Sequence, residues 1–285
     1  HCKLLKKLRE VALELNCEPL ILTYANHSKD TLNKNKVPYI ISTTPQKIEI
    51  FKSRGLNNIE LLNFSTQLAE MSPEEFLEKE LIEKFHPKAI VLGYDTHFGK
   101  DRKGNYDLVK KFEEKYNYKT YRVEPLIFEG SLVSSTIIRG LLSKGEMIAA
   151  NRLLNRRFSF HGTVTQGKKI GKTLGYPTIN IQTENEYQLT PPSGIYYSTS
   201  KIDNVMYNSV TNIGTNPTVS TTADIKIESF VLEFDEDVYG KNVETFFIER
   251  IREEKKFNNL EELKEAIHQD VQKIKGMINE NNWLS

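Results

Sequence analysis

Apolar residues recur in two rhythms along the first 155 positions. Short apolar runs at Pro19 to Tyr24, Asn58 to Phe64, Lys88 to Leu92 and Tyr118 to Val123 predict buried strands. Between them, helical spacing predicts helices over Pro45 to Ser53, Pro73 to Phe85 and Tyr106 to Tyr116. The second opens Ser72-Pro73-Glu74-Glu75, where a capping Ser precedes Pro at the first helical position. Ahead of the first strand, Leu4, Leu5, Leu8, Val11, Ala12 and Leu15 share one helical face. Strands alternating with helices predict an α/β domain built on a parallel sheet. Two more helical segments, Ile137 to Ser143 and Met147 to Leu154, complete this half, and helical spacing stops near Asn155.

From Phe158 the period becomes two, punctuated by Gly and Pro. Strands are expected at Phe160 to Thr165, Pro177 to Ile181, Gly194 to Ile202, Val205 to Ile213, Lys226 to Phe234 and Val243 to Arg252, enough for a small closed β-barrel. A terminal helix from Leu260 to Ile278 carries Leu263, Ile267, Val271 and Ile274 as its apolar stripe. The expected domains are 1–155 and 156–285, joined near Asn155 to Phe158, which agrees with a length of 285 residues.

Charge narrows the partners. With 39 Lys plus Arg against 38 Asp plus Glu, the chain lacks the basic excess that duplex nucleic acid selects. Lysines do cluster at Lys168, Lys169 and Lys172, which suits a small polyanion such as a nucleotide. Cys2 and Cys17 lie too far apart along one predicted helix, at about 1.5 Å rise per residue, to bridge each other. No apolar run approaches the roughly 20 residues of a membrane span, and no signal-peptide pattern is present, so a soluble cytoplasmic protein is expected. The chain begins at His1 and enters a helical pattern at once, so a further segment is expected upstream.

Candidate chemistry concentrates in Gly167 to Asn180, GKKIGKTLGYPTIN. Gly167, Gly171 and Gly175 let backbone approach a ligand, and the lysines supply charge for phosphates. A Walker P-loop would need Gly where Gln166 stands and a helix after Lys172-Thr173, whereas a strand pattern follows. On that strand Thr178 and Asn180 emerge from one face while Ile179 and Ile181 turn inward. A hydroxyl and an amide oxygen then converge, a donor pair suited to Mg²⁺. An isolated Thr-x-Asn is more often an ordinary exposed strand pair; the flanking glycines and Pro177 favour the ligand reading.

In the first half, Val133 to Arg139, VSSTIIR, places Ser134, Ser135 and Thr136 at a helix start with Arg139 one turn in. Free backbone N–H groups, hydroxyls and a guanidinium favour a polyphosphate, and a plain N-cap accounts for the same residues equally well.

The segment GKTLGYPTINI resembles the signature of riboflavin kinases, and further matches follow in family order. These are Gly162-Thr163-Val164, TPPSGIY from Thr190, NIGTNPTV from Asn212, ESFVLEFDEDVYG from Glu228 and REEKKF from Arg252. In the first half, SSTxIR, Thr23 to His27, Ser72 to Phe76 and LGYDTHFG from Leu92 are similar to the FAD synthetase half of the bacterial bifunctional riboflavin kinase/FAD synthetase family. The resemblance covers essentially the whole chain. It implies a Rossmann-like nucleotidylyltransferase domain followed by a Greek-key riboflavin kinase barrel. It implies ATP, riboflavin and FMN as substrates and Mg²⁺ as cofactor. Riboflavin would be phosphorylated to FMN, and FMN adenylylated to FAD with release of pyrophosphate.

Residue by residue, the resemblance implies Glu228 as catalytic base, and Gly167, Lys172, Gly175, Thr178 and Asn180 as the nucleotide and metal loop. Arg252 would contact flavin or phosphate. For adenylyl transfer it implies His1, His27, Asp95, Ser134, Ser135, Thr136 and Arg139. The family's His-x-Gly-His element would precede HCKLLKKLRE, with His1 as its second histidine. At Ala25-Asn26-His27-Ser28 the sequence departs from the family, which tends to flank this His with prolines. Two rivals remain at this point: a monofunctional riboflavin kinase with an inactive N-terminal scaffold, and a flavin-binding regulator without turnover.

Overall fold

A computed structural model describes residues 1–26, 39–167, 170–216 and 224–280. Two compact units divide the chain at Val133 and Ser134, and a short segment ending at Ile41 belongs with the second.

The first unit opens with the helix Cys2–Glu14, whose predicted stripe buries Leu5, Val11 and Ala12. Strand β1 (Ile21–Tyr24) pairs in parallel with β2 (Ile59–Leu62), the helix Thr44–Ser53 lying between them in sequence. In the same way β3 (Ala89–Gly93) pairs in parallel with β4 (Lys119–Val123), with helices Tyr106–Lys111 and Glu113–Tyr116 in the crossover. The expected parallel sheet is therefore present as two parallel pairs. Ile21 and Leu22 of β1 and Ile90 and Leu92 of β3 line one cavity of about 550 Å³. Parallel strands buried on both faces require such apolar runs.

The expected helix over Pro73 to Phe85 starts where its cap signals it. Ser72 Oγ accepts from Glu75 N at 3.1 Å, and Glu75 Oε2 accepts from Ser72 N at 3.2 Å. Its centre, Phe76–Ile82, is π-helical, and the wider turn brings Phe76, Leu77 and Leu81 onto the buried face. A hairpin, β5 (Ile127–Phe128) with β6 (Ser131–Leu132), closes the unit around Glu129 and Gly130, both at positive φ.

The second unit is a closed antiparallel barrel formed by β7 (Phe158–Thr165), β8 (Thr178–Thr183), β9 (Gly194–Ile202), β10 (Val205–Asn216), β11 (Asp224–Val231) and β12 (Asn242–Arg252), in the spatial order β10-β11-β8-β7-β12-β9. Strands β9, β10 and β11 follow one another, and β12 returns beside β9, which is a Greek key. One end of the interior is aromatic, with Phe158, Phe160 and Phe247 mutually in contact. Mid-barrel, Ser198, Ser209, Thr211 and Ser229 are all fully buried. Their hydroxyls bond one another at 2.6–2.9 Å, which removes the cost of burying them.

The helix Leu260–Glu280 packs Val271 and Ile274 on the outer barrel face against Tyr197, Val210 and Leu232. Helices Ser135–Lys144 and Met147–Leu154 also belong to this unit, although sequence rhythm groups them with the first half. The reason is local: Asn151 donates to Phe247 O at 2.8 Å and accepts from Phe158 N at 2.7 Å, which fixes the second helix to two barrel strands.

Candidate functional site

A row of side chains crosses the outside of the barrel. Asn180 on β8 lies directly opposite Glu228 on β11, Glu228 opposite Asn212 on β10, and Asn212 opposite Ile195 on β9. Directly opposed residues project from the same face, so Asn180, Glu228 and Asn212 stand side by side. Thr178 is in the same position relative to Phe230. Ile181 faces the other way and is buried inside the barrel. Thr178, Asn212, Lys226, Glu228 and Phe230 line a cavity of about 350 Å³, bounded also by Arg252, Phe257 and the C-terminal helix through Leu263, Ile267 and Asp270.

The glycine loop shapes one wall. A Cβ on Gly167 would lie 2.0 Å from Asn180 Nδ2, so any side chain there would displace the Asn180 amide. A Cβ on Gly171 would come 2.3 Å from Tyr176 O and 3.4 Å from Thr178 Oγ1. These two glycines thus leave room for the two residues expected at the metal. Gly175 adopts φ +85°, a left-handed conformation that glycine takes without strain. The loop contains one helical turn, Ile170–Thr173, with Lys172 exposed, before β8 begins. Lys168 and Lys169 lie outside the described residues.

Two ion pairs organise the cavity. Lys226 Nζ lies 2.5 Å from Glu228 Oε1 and so occupies one oxygen of the carboxylate. Arg252 grips the buried Asp270 in a bidentate pair, Nε to Oδ1 at 2.9 Å and Nη2 to Oδ2 at 2.7 Å, and Nη1 donates to Glu253 O. Its guanidinium carbon lies 6.0 Å from the centre of the Phe257 ring. Arg252 therefore lines the cavity with its orientation fixed by Asp270. Tyr176 closes the opposite side, edge-on to Phe230 and 3.0 Å through its hydroxyl from His268 Nδ1.

The sequence did not single out Asn212, Lys226 or Asp270 as site residues. Asp270 did leave a signal, as an acid beside Val271 on the inward stripe of an amphipathic helix. Asn212 and Lys226 are identified only by register, which the sequence does not display.

The residues expected for adenylyl transfer are divided between the units. His1 caps the first helix without a side-chain bond and is exposed. Asp95 and His97 are exposed just past the carboxyl end of β3, where open α/β sheets bind ligands. His27 lies outside the described residues. The nearby ends of β1 and β2 are tied by Asn26, whose amide donates to Phe64 O at 2.8 Å and accepts from Phe64 N at 2.7 Å. Beside them Lys47 donates to Tyr24 O at 3.1 Å, and burial pulls its amine below the ordinary lysine range.

In the second unit Ser134 caps the helix Ser135–Lys144, its Oγ accepting from Ile137 N at 3.3 Å. The cap uses Ser134 alone, while Ser135 and Thr136 remain exposed in the first turn. The Arg139 guanidinium lies 5.7 Å over the Tyr39 ring.

Two known families match the chain in series. The riboflavin kinase family (Flavokinase) matches residues 154–278, and the FAD synthetase family matches residues 1–137. A bifunctional riboflavin kinase/FMN adenylyltransferase of Buchnera aphidicola subsp. Acyrthosiphon pisum is 33% identical over 95% of this chain and 87% of its own length. One of Bacillus subtilis is 30% identical over 95% of this chain and 86% of its own. A crystal structure from Streptococcus pneumoniae, described as a macrolide-efflux protein, superposes with a TM-score of 0.84 at 26% identity, covering 99% of this chain and 89% of that one. Among the described residues no helix is long and apolar enough to cross a membrane. Two family matches in series and relatives alike along nearly the whole length establish that the chain belongs to the bifunctional riboflavin kinase/FMN adenylyltransferase family.

Proposed function

We propose that the chain carries both activities of its family, phosphorylating riboflavin to FMN and adenylylating FMN to FAD, with ATP as donor in each step. The observation that carries the kinase reading is the row Asn180, Glu228, Asn212 beside a glycine-walled cavity.

In the kinase step Glu228 takes the proton of the flavin 5′-hydroxyl as its oxygen bonds to the γ-phosphorus of ATP and the bond to the ADP oxygen breaks. Lys226 holds Oε1 of this carboxylate, which leaves Oε2 for the hydroxyl. Phosphoryl transfer depends on positioning and charge neutralisation more than on covalent chemistry, and a rigid strand face provides the positioning.

The donor set fits Mg²⁺. The Thr178 hydroxyl and the Asn180 amide oxygen are hard oxygen ligands, and Gly167 leaves the Asn180 amide its space. When bound, the ion would neutralise charge on the nucleotide phosphates.

In the adenylyl step the FMN phosphate attacks the α-phosphorus of ATP and pyrophosphate leaves. Ser135, Thr136, Arg139 and the free N–H groups of their helix would bind phosphate, and no nucleophilic side chain is required. Supplying the full chain with riboflavin, ATP and Mg²⁺ and separating the flavins by chromatography tests both steps. FMN should appear first and FAD after it. Absence of FMN removes the kinase reading, and FMN without FAD removes the second activity.

A further inference from the structure

Asn212 lines the kinase cavity and takes no part in the proton or phosphoryl transfer above. It lies directly opposite Glu228 on one side and Ile195 on the other. Its Oδ1 is fully buried and has no hydrogen-bond partner among the described residues. A buried acceptor left unpaired is costly, and such groups are ordinarily satisfied, so Oδ1 is placed to receive a donor from outside the protein. Two positions on, at Gly214, a Cβ would fall 2.9 Å from Glu254 Oε1 and 3.7 Å from Asn212 Nδ2. Lys226, opposite Gly214, has its amine engaged by Glu228.

Direction identifies the donor. Thr178 and Asn180, the phosphate end of the site, lie to one side of Glu228, and Asn212 lies to the other. The hydroxyl that Glu228 deprotonates belongs to a chain whose remaining atoms must run away from the phosphates. Across neighbouring strands, about 4.8 Å apart, that path passes over Asn212. For a flavin acceptor the chain is a polyol, and each of its hydroxyls can donate.

We propose that Asn212 is a substrate-binding residue whose Oδ1 accepts a hydrogen bond from a polyol hydroxyl of the acceptor other than the one phosphorylated. It thereby selects flavins that bear a hydroxylated side chain. This rests on the kinase reading above.

The test compares riboflavin with lumiflavin, which has the same ring system and no polyol, on the full chain and its Asn212→Ala and Asn212→Ser variants. Flavin affinity is read by fluorescence quenching in the presence of MgADP, and KM by FMN formation. In Asn212→Ala the KM for riboflavin should rise about tenfold, the loss of one hydrogen bond. Lumiflavin affinity and the KM for ATP should stay within about twofold of wild type. Asn212→Ser, which retains an acceptor oxygen on a shorter arm, should fall between, and it carries the test alone if the alanine variant does not fold. A riboflavin KM unchanged in either variant overturns the proposal, as does a parallel loss of lumiflavin affinity, which would mark a purely structural role. A wild-type chain that makes no FMN removes the kinase reading itself, an outcome distinct from wild-type turnover that ignores Asn212.

Discussion

Glu228 and Arg252 are both paired, and the two pairs differ in depth. The Lys226–Glu228 pair is partly exposed, at 38% and 25% of the side chains, so its energetic share is small. Replacing Lys226 with Met should lower kcat for FMN formation by no more than about fivefold, the scale of an exposed ion pair. The KM for ATP should hardly move; a loss of several hundredfold in steady-state assays would mean that Lys226 itself touches the transferred phosphoryl group. The Arg252–Asp270 pair is deeper, with Asp270 only 6% exposed. Asp270→Ala leaves a guanidinium without its partner and should cost about 3 kcal/mol. In a thermal melt that corresponds to a fall on the order of 6–12 °C for the barrel transition. A melting temperature within a degree or two of wild type would show that the pair contributes little.

At the scale of elements, the glycine loop and β8 act as one device. Gly167→Ala places a methyl where Asn180 Nδ2 now lies, so the amide must turn away. Because φ at Gly167 is not left-handed, the fold should tolerate the change while the KM for MgATP rises about tenfold. Titrating Mg²⁺ at fixed ATP would expose the same loss as a higher metal requirement, and an unchanged Mg²⁺ dependence would contradict the assigned wall.

This strand was legible because side chains alternate with period two, so Thr178 and Asn180 had to share a face. The helix at Pro73 was legible from the capping Ser72 ahead of Pro73 at the first helical position. The hairpin of β5 and β6 was not, because strands of two residues carry no rhythm and its turn is Glu129-Gly130. Asn212 was not legible either: its place beside Glu228 is a fact of strand register, set by contacts distant in sequence.

At the scale of the molecule, rhythm and packing divide the chain differently. Helical spacing runs to Leu154, and the family matches end at 137 and resume at 154. Packing nevertheless puts the helices from Ser135 onward with the barrel, through Asn151. Periodicity reports how a segment folds, and only its partners decide which core it joins.

The barrel also carries its own pH limit. Tyr196 is fully buried with its hydroxyl donating to Pro192 O, and burial pushes its phenol up to about 12. A folded-state value above the ordinary one, about 10, means this contribution is intact below pH 10 and lost as pH rises toward 12. Melting temperature should therefore fall across that interval, and less steeply in Tyr196→Phe. Equal slopes in the two proteins would show that other groups set the alkaline limit.

The assignment of the two chemistries to separate residues is tested most directly by one product-resolved assay of Glu228→Gln. Given riboflavin, ATP and Mg²⁺, this variant should form FMN about 10² to 10⁴ times more slowly than wild type, the usual share of a general base. Given FMN in place of riboflavin, it should form FAD at the wild-type rate. FMN formation at an undiminished rate, or equal loss of both products, would contradict the assignment.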